Sequence, residues 1–420
     1  MGPDNSRVAV TAPRAPETLD KLNRLLERVR ERVPFYRERI PDRRLGSLAD
    51  LGSLPFTVKD DFRAAYPFGL FAVPAQEVVR VHMSSGTTGK PVVTGYTRAD
   101  LELWGECMTR VLEAGDVTSR DILQNAYGYG LFTGGLGFHL GAERIGCLVV
   151  PTSSGVTQRQ VMLMRDLGTT VLCCTPSYAL VLAEALERET VRTKLSLRAG
   201  FFGAEPWSDG MRRQIEYGLG LEAFDVFGLT ELGGPGVAVE CHQHDGLHVF
   251  EDHFYAETID PETGDPVPAG EEGELVLTSL DREAAPIIRY RTRDRTVLVD
   301  EPCACGSPFR RIRKVQGRTD DMIHVRGENI FPSQIESILL EIEGLTGNYQ
   351  LVVDRQSRHL DTLQVLVEAR PHSDHTLLRV KAEETIKETI GLTCEVTVLA
   401  PDVLPRSEGK AKRVIDRREL

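Results

Sequence analysis

The first part of the chain carries apolar residues at the spacing of a helix. Between residues 16 and 40, they recur every three or four positions, at Leu19, Leu22, Leu25, Leu26 and Val29. This spacing places them on one face of a helix. We expect that helix to pack on the outside of the first domain.

From about residue 80 to 240, short apolar runs alternate with longer helical patterns. This alternation is typical of a parallel sheet covered by helices. The pattern therefore predicts an α/β domain whose strands include residues 145–150, 170–174, 200–203 and 223–227.

Beyond residue 270 the segments become β-rich and are separated by turn residues, at 273–280, 285–292 and 295–300. We expect the large domain to end in antiparallel sheet. After Gly317 the pattern changes to a smaller α+β unit, with helices at 333–342 and 377–390 and strands at 349–354, 362–369 and 394–399. The sequence thus predicts two domains, residues 1–319 and 320–420, with the boundary near Asp320.

Composition narrows the class of protein. A chain of 420 residues exceeds the size of a single hydrophobic core, so two or more domains are expected. The net charge of -12 and the pI near 5.4 argue against nucleic-acid or anionic-membrane partners. Neither a membrane-spanning apolar stretch nor the apolar core of a secretory signal is evident, which predicts a cytoplasmic protein.

The segment SSGTTGKP, residues 84–91, follows the strand-like VVRVHM. Its glycines allow a tight turn whose N–H groups point at an anion, and its hydroxyls and one lysine add donors and charge. It is not the GxxxxGK[ST] nucleotide loop, because the spacing differs. We interpret it as a phosphate cradle, although a bare loop of this composition is also consistent with a structural turn. The cradle residues are Ser84, Ser85, Gly86, Thr87, Thr88, Gly89 and Lys90.

Four more segments follow in order: FGLTE (227–231), YRTRD (290–294), GRTDDMIHVRGENIFPSQIE (317–336) and PRSEGKAKR (405–413). With the cradle, their order and spacing resemble the acyl-adenylate-forming superfamily, over nearly the whole chain from about residue 30. The shortness of the chain and the segments DPETGDPVPAGEEGELVLTSL and EPCACGSPFRRI are most similar to the phenylacetate-coenzyme A ligase family.

That resemblance implies a multi-domain α/β ligase fold with a mobile C-terminal domain. It also implies an activity: ATP and Mg²⁺ convert a small aromatic carboxylic acid to its acyl-adenylate, and coenzyme A then accepts the acyl group. Two alternatives remain open. The acyl group can instead go to a carrier-protein thiol or an amine, or the chain can be an inactive nucleotide sensor.

The resemblance assigns roles around the nucleotide. Thr230 would donate to a phosphate and Glu231 would hold Mg²⁺, which prefers oxygen ligands. Without the other motifs, a Thr-Glu pair would be interpreted as the end of a strand, with a capping Thr and a solvated Glu. Phe227 would present its ring to adenine beside Gly228. The backbone of Gly203, Ala204 and Glu205 would line the other side of the base, and Asp225 is either a partner of the adenine amino group or a turn residue.

Further roles follow from the later motifs. Asp294 would accept from two ribose hydroxyls; the family usually has Gly where this chain has Arg293, which changes the loop or adds a phosphate contact. Arg318 would reach the nucleotide, Asp320 would be the pivot of the small domain, and Gly327 would let pantetheine pass. Lys410 would lie between the carboxylate and the α-phosphate, with Lys412 and Arg413 as neighbours that leave the register open.

The acyl pocket and a metal site complete the expectations. Tyr127, Tyr129 and Phe132, in NAYGYGLFTGGLGF, either wall a flat apolar pocket or belong to a loop that packs on the core. Cys147, Cys173 and Cys174 lie in apolar runs and are expected to be buried small side chains rather than disulfide partners.

Cys303 and Cys305 form a CxC pair, and Cys241 and His248 lie in ECHQHDGLH. Two short loops of this kind match a structural Zn²⁺ site with three sulfurs and one nitrogen, a site that some members of the family carry. His242 and His244 are alternative nitrogen ligands, and free thiols near a turn are the alternative to a metal site. A homodimer is compatible with the sequence, which leaves the oligomeric state and the identity of the acid open.

Overall fold

A computed structural model describes residues 15–84, 90–189, 195–315, 317–318, 323–325, 328–355, 361–406 and 411–418, and of residues 188, 189, 324, 328 and 329 it describes the backbone only. Several residues of interest therefore lie outside the described residues: Ser85, Gly86, Thr87, Thr88, Gly89, Asp320, Gly327 and Lys410.

The expected N-terminal helix is present but is broken near its end. Helix α1 spans Ala15–Arg32, and its Leu22, Leu25, Leu26 and Val29 are buried in the main core. Val33 is extended, and a second helix, α2, begins at Pro34 and ends at Arg37. Proline suits the first position of a helix, where its missing N–H is not needed, and this favours a new start over continuation. Helix α3 follows at Lys59–Ala64.

An antiparallel hairpin comes next and carries the cradle segment. Strand β1, Arg80–Met83, pairs with β2, Val93–Tyr96. Helix α4, Arg98–Glu113, follows at once; the Thr97 hydroxyl accepts from the Asp100 N–H, and the Asp100 carboxylate accepts from the Thr97 N–H. This reciprocal pair caps the helix start.

Five parallel strands form one half of the large sheet, in the order β4-β3-β5-β6-β7. Between them run four helices. The elements are β3 (Ile122–Asn125), α5 (Thr133–Ile145), β4 (Leu148–Val150), α6 (Thr157–Asp166), β5 (Val171–Cys174), α7 (Pro176–Glu189), β6 (Ala199–Gly203), α8 (Asp209–Leu219) and β7 (Glu222–Leu229). The strand expected at 145–150 starts only at Leu148, because α5 runs to Ile145 and Gly146 ends it with φ 91°.

Both faces of this half-sheet are buried. Along β5, Cys173 belongs to one hydrophobic cluster and Cys174 to another, and along β6 Phe201 and Phe202 divide in the same way. Successive residues of a strand point to opposite faces. The sheet is therefore covered on both sides, as the α/β pattern predicted, and both cysteines are buried small side chains as expected.

The other half of the sheet is antiparallel and continues in the order β7-β8-β9-β13-β12-β11-β10, with β14 paired to β12. A single ten-residue strand, β12, replaces the two strands expected at 285–292 and 295–300; residues 285–289 precede it. The strands are β8 (Gly234–Glu240), β9 (Leu247–Val249), β10 (Phe254–Ile259), β11 (Glu272–Ser279), β12 (Tyr290–Val299), β13 (Arg311–Ile312) and β14 (Gly317–Arg318).

The C-terminal part forms a separate sheet domain with its own hydrophobic cluster. A short hairpin, β15 with β16, precedes a four-stranded sheet in the order β19-β18-β17-β20. The expected helices and strands are present, and β15, β16 and β20 are additional strands that the sequence did not predict. The elements are β15 (Ile323–Val325), β16 (Glu328–Ile330), α9 (Pro332–Glu341), β17 (Leu345–Arg355), β18 (Asp361–Ala369), α10 (His375–Ile390), β19 (Glu395–Leu399) and β20 (Val414–Asp416). Within the described residues, no helix has the length and apolar character that crossing a membrane requires.

Candidate active site

A cavity of about 360 Å³ opens where the parallel strands end. Ligands of open α/β sheets bind at this carboxyl edge. The cavity wall gathers residues from segments far apart in the chain, including Ser84, Tyr127, Phe132, Gly203, Ala204, Glu205, Asp225, Phe227, Gly228, Thr230, Glu231, Asp294 and Arg318. The expected site residues among the described part of the chain thus converge on one space, apart from Lys90, Tyr129 and the cysteine cluster.

The end of β6 and the adjoining part of β7 form one wall. A Cβ at Gly203 would lie 2.1 Å from the Val226 carbonyl oxygen, so only glycine permits this approach of the two strands. Ala204 then takes φ 74°, a left-handed turn that carries the chain across the cavity mouth. Phe227 is half-buried and its ring borders the cavity. This wall thus combines an aromatic side chain with a backbone turn beside the cavity.

Asp225 lies in the same wall and has unusual electrostatics. Removal from solvent, followed by the nearby charge of Glu240, raises the pKa of Asp225 to about 6. Glu240 is paired with the Arg212 guanidinium at 2.6 Å and accepts from the Asp225 N–H at 2.9 Å. The Asp225 backbone is therefore bonded to a buried carboxylate, and the pKa of its own carboxyl is raised toward neutral pH.

Thr230 and Glu231 occupy a short 3₁₀ turn directly after β7, and both are buried. Gly228 makes the turn possible, because a Cβ there would lie 2.2 Å from the Gly234 carbonyl oxygen. Burial, and then the negative charge of Glu231, raise the pKa of Tyr290 well above its usual value, which places the two side chains together. A buried carboxylate beside a hydroxyl offers the oxygen ligands that Mg²⁺ prefers.

Asp294 projects from a bulge in β12. The pairing of β12 with β11 shifts between Glu274 and Val276, and Arg293 has φ 69° in the same stretch. This backbone region favours glycine, which explains why a glycine suits the position. The Arg293 guanidinium lies 3.6 Å from the buried Glu274 carboxylate. The substitution is thus accommodated by a contact within the sheet.

Arg318 borders the cavity beside Asp294. Strand β14 pairs Arg318 with Asp294, and the Arg318 guanidinium lies 3.7 Å from the Asp294 carboxylate. Two further cations of the cavity wall, Lys59 and Lys314, come from segments without a motif, so the sequence did not reveal them. Tyr290 also borders the cavity and was missed, although it opens the YRTRD motif.

Of the cradle, the structure describes the two ends. The Ser84 N–H donates to the Val92 carbonyl at 3.1 Å, which closes the hairpin, and Ser84 borders the cavity. Lys90 is exposed, and its ammonium lies 5.4 Å from the centre of the Tyr66 ring. Residues 85–89 lie outside the described residues, so their contribution stays a prediction.

Aromatic side chains form the deeper part of the cavity. Tyr127 stacks on Phe138, with ring centres 5.1 Å apart and planes 3° apart, and Phe132 borders the same space. The Tyr129 side chain does not line the cavity. Its hydroxyl accepts from the Asn125 amide at 2.8 Å and lies 3.1 Å from the His139 Nδ1. Among the described residues that line the cavity, Tyr127 and Phe132 are present and Tyr129 is not.

The C-terminal segment reaches the cavity at Ala411. The Ala411 N–H donates to the Glu205 carboxylate at 3.0 Å, and Ala411 borders the cavity. Lys410 precedes it and lies outside the described residues. Lys412 is exposed, and the Arg413 guanidinium lies 4.5 Å from the centre of the Tyr349 ring.

A second cluster lies in the antiparallel half of the sheet, away from the cavity. The ligand atoms of Cys241, His248, Cys303 and Cys305 all lie within 4.8 Å of one another. The Cys241 and Cys303 sulfurs are 3.8 Å apart, and the Cys305 sulfur is 3.3 Å from the His248 Nε2. Tetrahedral ligands at about 2.3 Å from one Zn²⁺ would be separated by about 3.8 Å, so the set fits zinc.

The histidine of this cluster is identified by its hydrogen bonds. His248 Nδ1 lies 3.0 Å from the Phe309 carbonyl oxygen, so the Nδ1–H donates there and Nε2 is free to bind metal. His242 bonds with Glu222 and Asp116, at 2.9 and 3.0 Å. His244 bonds with Glu222 at 3.1 Å. Of the three histidines considered, His248 is therefore the one that faces the sulfurs.

Comparison with known proteins agrees with this geometry. The family described as "AMP-binding enzyme" matches residues 69–280, and the "AMP-binding enzyme C-terminal domain" matches residues 327–418. A phenylacetate-coenzyme A ligase of Thermus thermophilus is 46% identical over 95% of this chain and 96% of its own length.

Two solved structures of a 2-hydroxyisobutyryl-CoA ligase also resemble the chain. In the postadenylation state with R3-HIB-AMP the TM-score is 0.90, at 29% identity over 96% of this chain and 90% of that one. In the thioesterification state with 2-HIB-AMP and CoA it is 0.71, at 30% identity and the same coverage. Fold and cavity define an acyl-adenylate-forming enzyme. Within that superfamily the chain belongs to the phenylacetate-coenzyme A ligase-like family.

Proposed function

We propose that this chain is an AMP-forming acid:thiol ligase that activates a small aromatic carboxylic acid with ATP and transfers the acyl group to coenzyme A. The observation that carries the proposal is the convergence of Thr230, Glu231 and Asp294 on one cavity with an aromatic interior. The membership of the chain in the family supports the same reaction. Activation is required because a carboxylate is a poor electrophile, whereas the mixed anhydride with AMP reacts readily with a thiolate.

In this proposal the nucleotide spans the cavity mouth. Phe227 and the backbone of Gly203, Ala204 and Glu205 enclose adenine beside Gly228, Asp225 accepts from its amino group, and Asp294 accepts from the ribose hydroxyls. The cradle and Thr230 donate to phosphate oxygens. The Glu231 carboxylate would hold Mg²⁺, whose charge would offset that of the phosphates. Arg318 adds a cation beside the ribose.

Lys410 is the proposed catalytic cation of the first step. The substrate carboxylate oxygen attacks the α-phosphorus, and pyrophosphate leaves. Negative charge grows on the phosphoryl oxygens during this displacement, and an ammonium group held beside them lowers the barrier. The contact between Ala411 and Glu205 supports this role, because it brings the residue after Lys410 to the cavity.

The acid pocket is proposed to accept a flat ring. Tyr127 and Phe132, with Phe138 stacked on Tyr127, give the cavity an apolar wall. Phenylacetate and benzoate-like acids fit such a wall in size and polarity.

The two half-reactions are proposed to use two poses of the C-terminal domain, residues 320–420, about Asp320. The higher TM-score to the postadenylation structure than to the thioesterification structure supports assignment of the present arrangement to the first pose. Gly327 is proposed to line the pantetheine path in the second pose. We place the enzyme in the cytoplasm, because the thiols of the proposed zinc site must stay reduced.

The closest alternative is an enzyme that delivers the same adenylate to a carrier-protein thiol. The test is a panel of phenylacetate, benzoate, aminobenzoates and short aliphatic acids, scored for Mg²⁺-dependent pyrophosphate release with and without coenzyme A. We expect an aromatic acid to give pyrophosphate, and coenzyme A to convert it to thioester and AMP. Products of ADP and phosphate would eliminate the adenylate mechanism, and adenylate formation without thioester would favour another acceptor.

A further inference from the structure

The Glu205 carboxylate joins two parts of the molecule that no motif connects. One oxygen accepts from the Ser177 N–H at 2.8 Å, in the first turn of α7. The other accepts from the Ala411 N–H at 3.0 Å, 206 residues away in the chain. The first bond satisfies a free N–H at a helix start, where a negative charge is also favoured. Glu205 is thus anchored on the large domain while its second oxygen holds the C-terminal segment.

A reciprocal contact lies beside it. Glu336, on α9 of the C-terminal domain, is 3% exposed, and its carboxylate accepts from the Ser208 N–H of the large domain at 3.2 Å. The Arg413 guanidinium lies 3.9 Å from the Glu336 carboxylate and donates to the Ser177 hydroxyl at 3.4 Å. Each domain therefore supplies a carboxylate that accepts a backbone N–H of the other domain.

We propose that Glu205 is a positioning residue for adenylate formation, because it fixes the segment that contains Lys410 against the large domain, with Glu336 and Arg413 completing the contact. This inference rests on the proposed function. The role is separate from lining the adenine pocket, since it uses the side chain of Glu205 and not its backbone.

The contact is specific to one pose of the molecule. Three of its hydrogen bonds, Ala411 to Glu205, Ser208 to Glu336 and Arg413 to Ser177, join a residue before 319 to one after 320, so rotation of the small domain must break them. Burial raises the pKa of Glu336, and the nearby charge of Arg413 opposes this effect. The charged form of this carboxylate is therefore stabilised by its partners in the present pose. A contact made in one pose alone favours the half-reaction of that pose.

Glu205→Gln tests the inference with little change of shape. An amide has one acceptor oxygen, so it cannot accept from both the Ser177 and the Ala411 N–H groups. The matched control is Glu216→Gln, because the Glu216 carboxylate also accepts a backbone N–H, from Ala223 at 3.1 Å, but within the large domain. Both variants are measured as full-length protein, with phenylacetate or the best acid of the panel.

The two half-reactions are timed separately: pyrophosphate release on mixing with ATP and acid, and thioester formation from a synthetic acyl-adenylate and coenzyme A. We expect Glu205→Gln to raise the ratio of the thioester rate to the adenylation rate about tenfold, the size expected for a lost hydrogen bond to a charged group. Glu216→Gln should keep the wild-type ratio. Equal loss of both half-reactions in Glu205→Gln, or no change, overturns the inference.

The wild-type protein and a second variant distinguish failure of the positioning role from failure of the proposed function. If wild-type protein forms no adenylate from any acid, the proposed function fails; if it does and the ratio is unmoved in Glu205→Gln, only the positioning role fails. Should Glu205→Gln not fold, Glu336→Gln provides the same measurement from the other domain. An unchanged ratio in that folded variant would also overturn the inference.

Discussion

At the scale of single residues, the sequence motifs identified the cavity residues that they contain, but not the other residues of the cavity wall. Thr230, Glu231 and Asp294 are adjacent to recognisable segments and were expected together, and they do border one space. Lys59 and Lys314 border it too, but a lone lysine in an unremarkable segment carries no sequence signal. Their roles, and those of the motif residues, remain predictions that the geometry supports.

Arg293 shows how a residue can depart from a family pattern at small cost. Its φ of 69° lies where glycine is favoured, and a side chain there costs about 1 kcal/mol. The guanidinium is near Glu274, which also accepts two hydrogen bonds from Arg291, at 2.7 and 2.9 Å. The sequence predicted that the departure matters, but only the structure reveals that the added charge faces a carboxylate in the sheet.

The titration of Asp225 gives a prediction at this scale. The pKa of Asp225, about 6, is raised by burial, so the carboxylate that would accept from adenine is lost as the pH falls through 6. We expect the KM for ATP to rise several-fold between pH 7 and pH 5. Asp225→Asn keeps an acceptor oxygen without a titrating group, so its KM should stay flat. A wild-type KM that is constant over this range would contradict the assignment of Asp225 to adenine.

At the scale of elements, helices and strands with clear periodicity were found where the pattern predicted them. The exceptions have local causes: Val33 and Pro34 end the first helix early, and β12 absorbs two expected strands because a bulge at Arg293 lets one strand turn without ending. The order in which the strands pair in the large sheet could not be predicted from the sequence. Strands β9 and β13 are neighbours although they are more than sixty residues apart in the chain, and their pairing brings His248 close to the two cysteines of the loop before β13.

At this scale the testable prediction concerns the cluster of Cys241, His248, Cys303 and Cys305. Protein from zinc-replete medium should contain about one Zn²⁺, and Cys303→Ser with Cys305→Ser should lose it and lower the Tm by at least about 5 °C, since bound metal contributes directly to folding. Cys147→Ser is the control, because Cys147 lies outside the cluster. Elemental analysis that finds no zinc in the wild-type protein would remove the site. The activity of the remaining protein is a secondary measurement.

At the scale of the whole molecule, the division into a large α/β part and a small sheet domain was foreseen from the change of pattern after Gly317. The pose of the small domain was not, because it depends on contacts such as Asn348 with Glu184, at 2.7 Å, that join segments without sequence signal. The C-terminal domain has a hydrophobic cluster of its own, which is consistent with the proposed movement of this domain as a unit. The exact boundary and the pivot at Asp320 remain predictions.

A substitution at the proposed pivot tests whether one molecule alternates between two poses. Proline at position 320 fixes φ near -65° and removes an N–H, so Asp320→Pro can adopt fewer backbone conformations than the wild type. We expect it to retain one half-reaction and to slow the other at least about tenfold, measured from the same two rates as above. Lys410→Ala is the companion variant, and it should slow adenylation while thioester formation from a supplied acyl-adenylate continues.

The pair of variants distinguishes a hinge from a catalytic group, because one restricts motion and the other removes charge. Equal loss of both half-reactions in Asp320→Pro, with an unchanged circular dichroism spectrum, would rule out a pivot at this position. Equal loss in Lys410→Ala would instead make that lysine structural, or identify Lys412, which is exposed two residues later, as the group that reaches the phosphate. Lys412→Ala then decides between those two readings, since a catalytic Lys412 would confine its loss to adenylation.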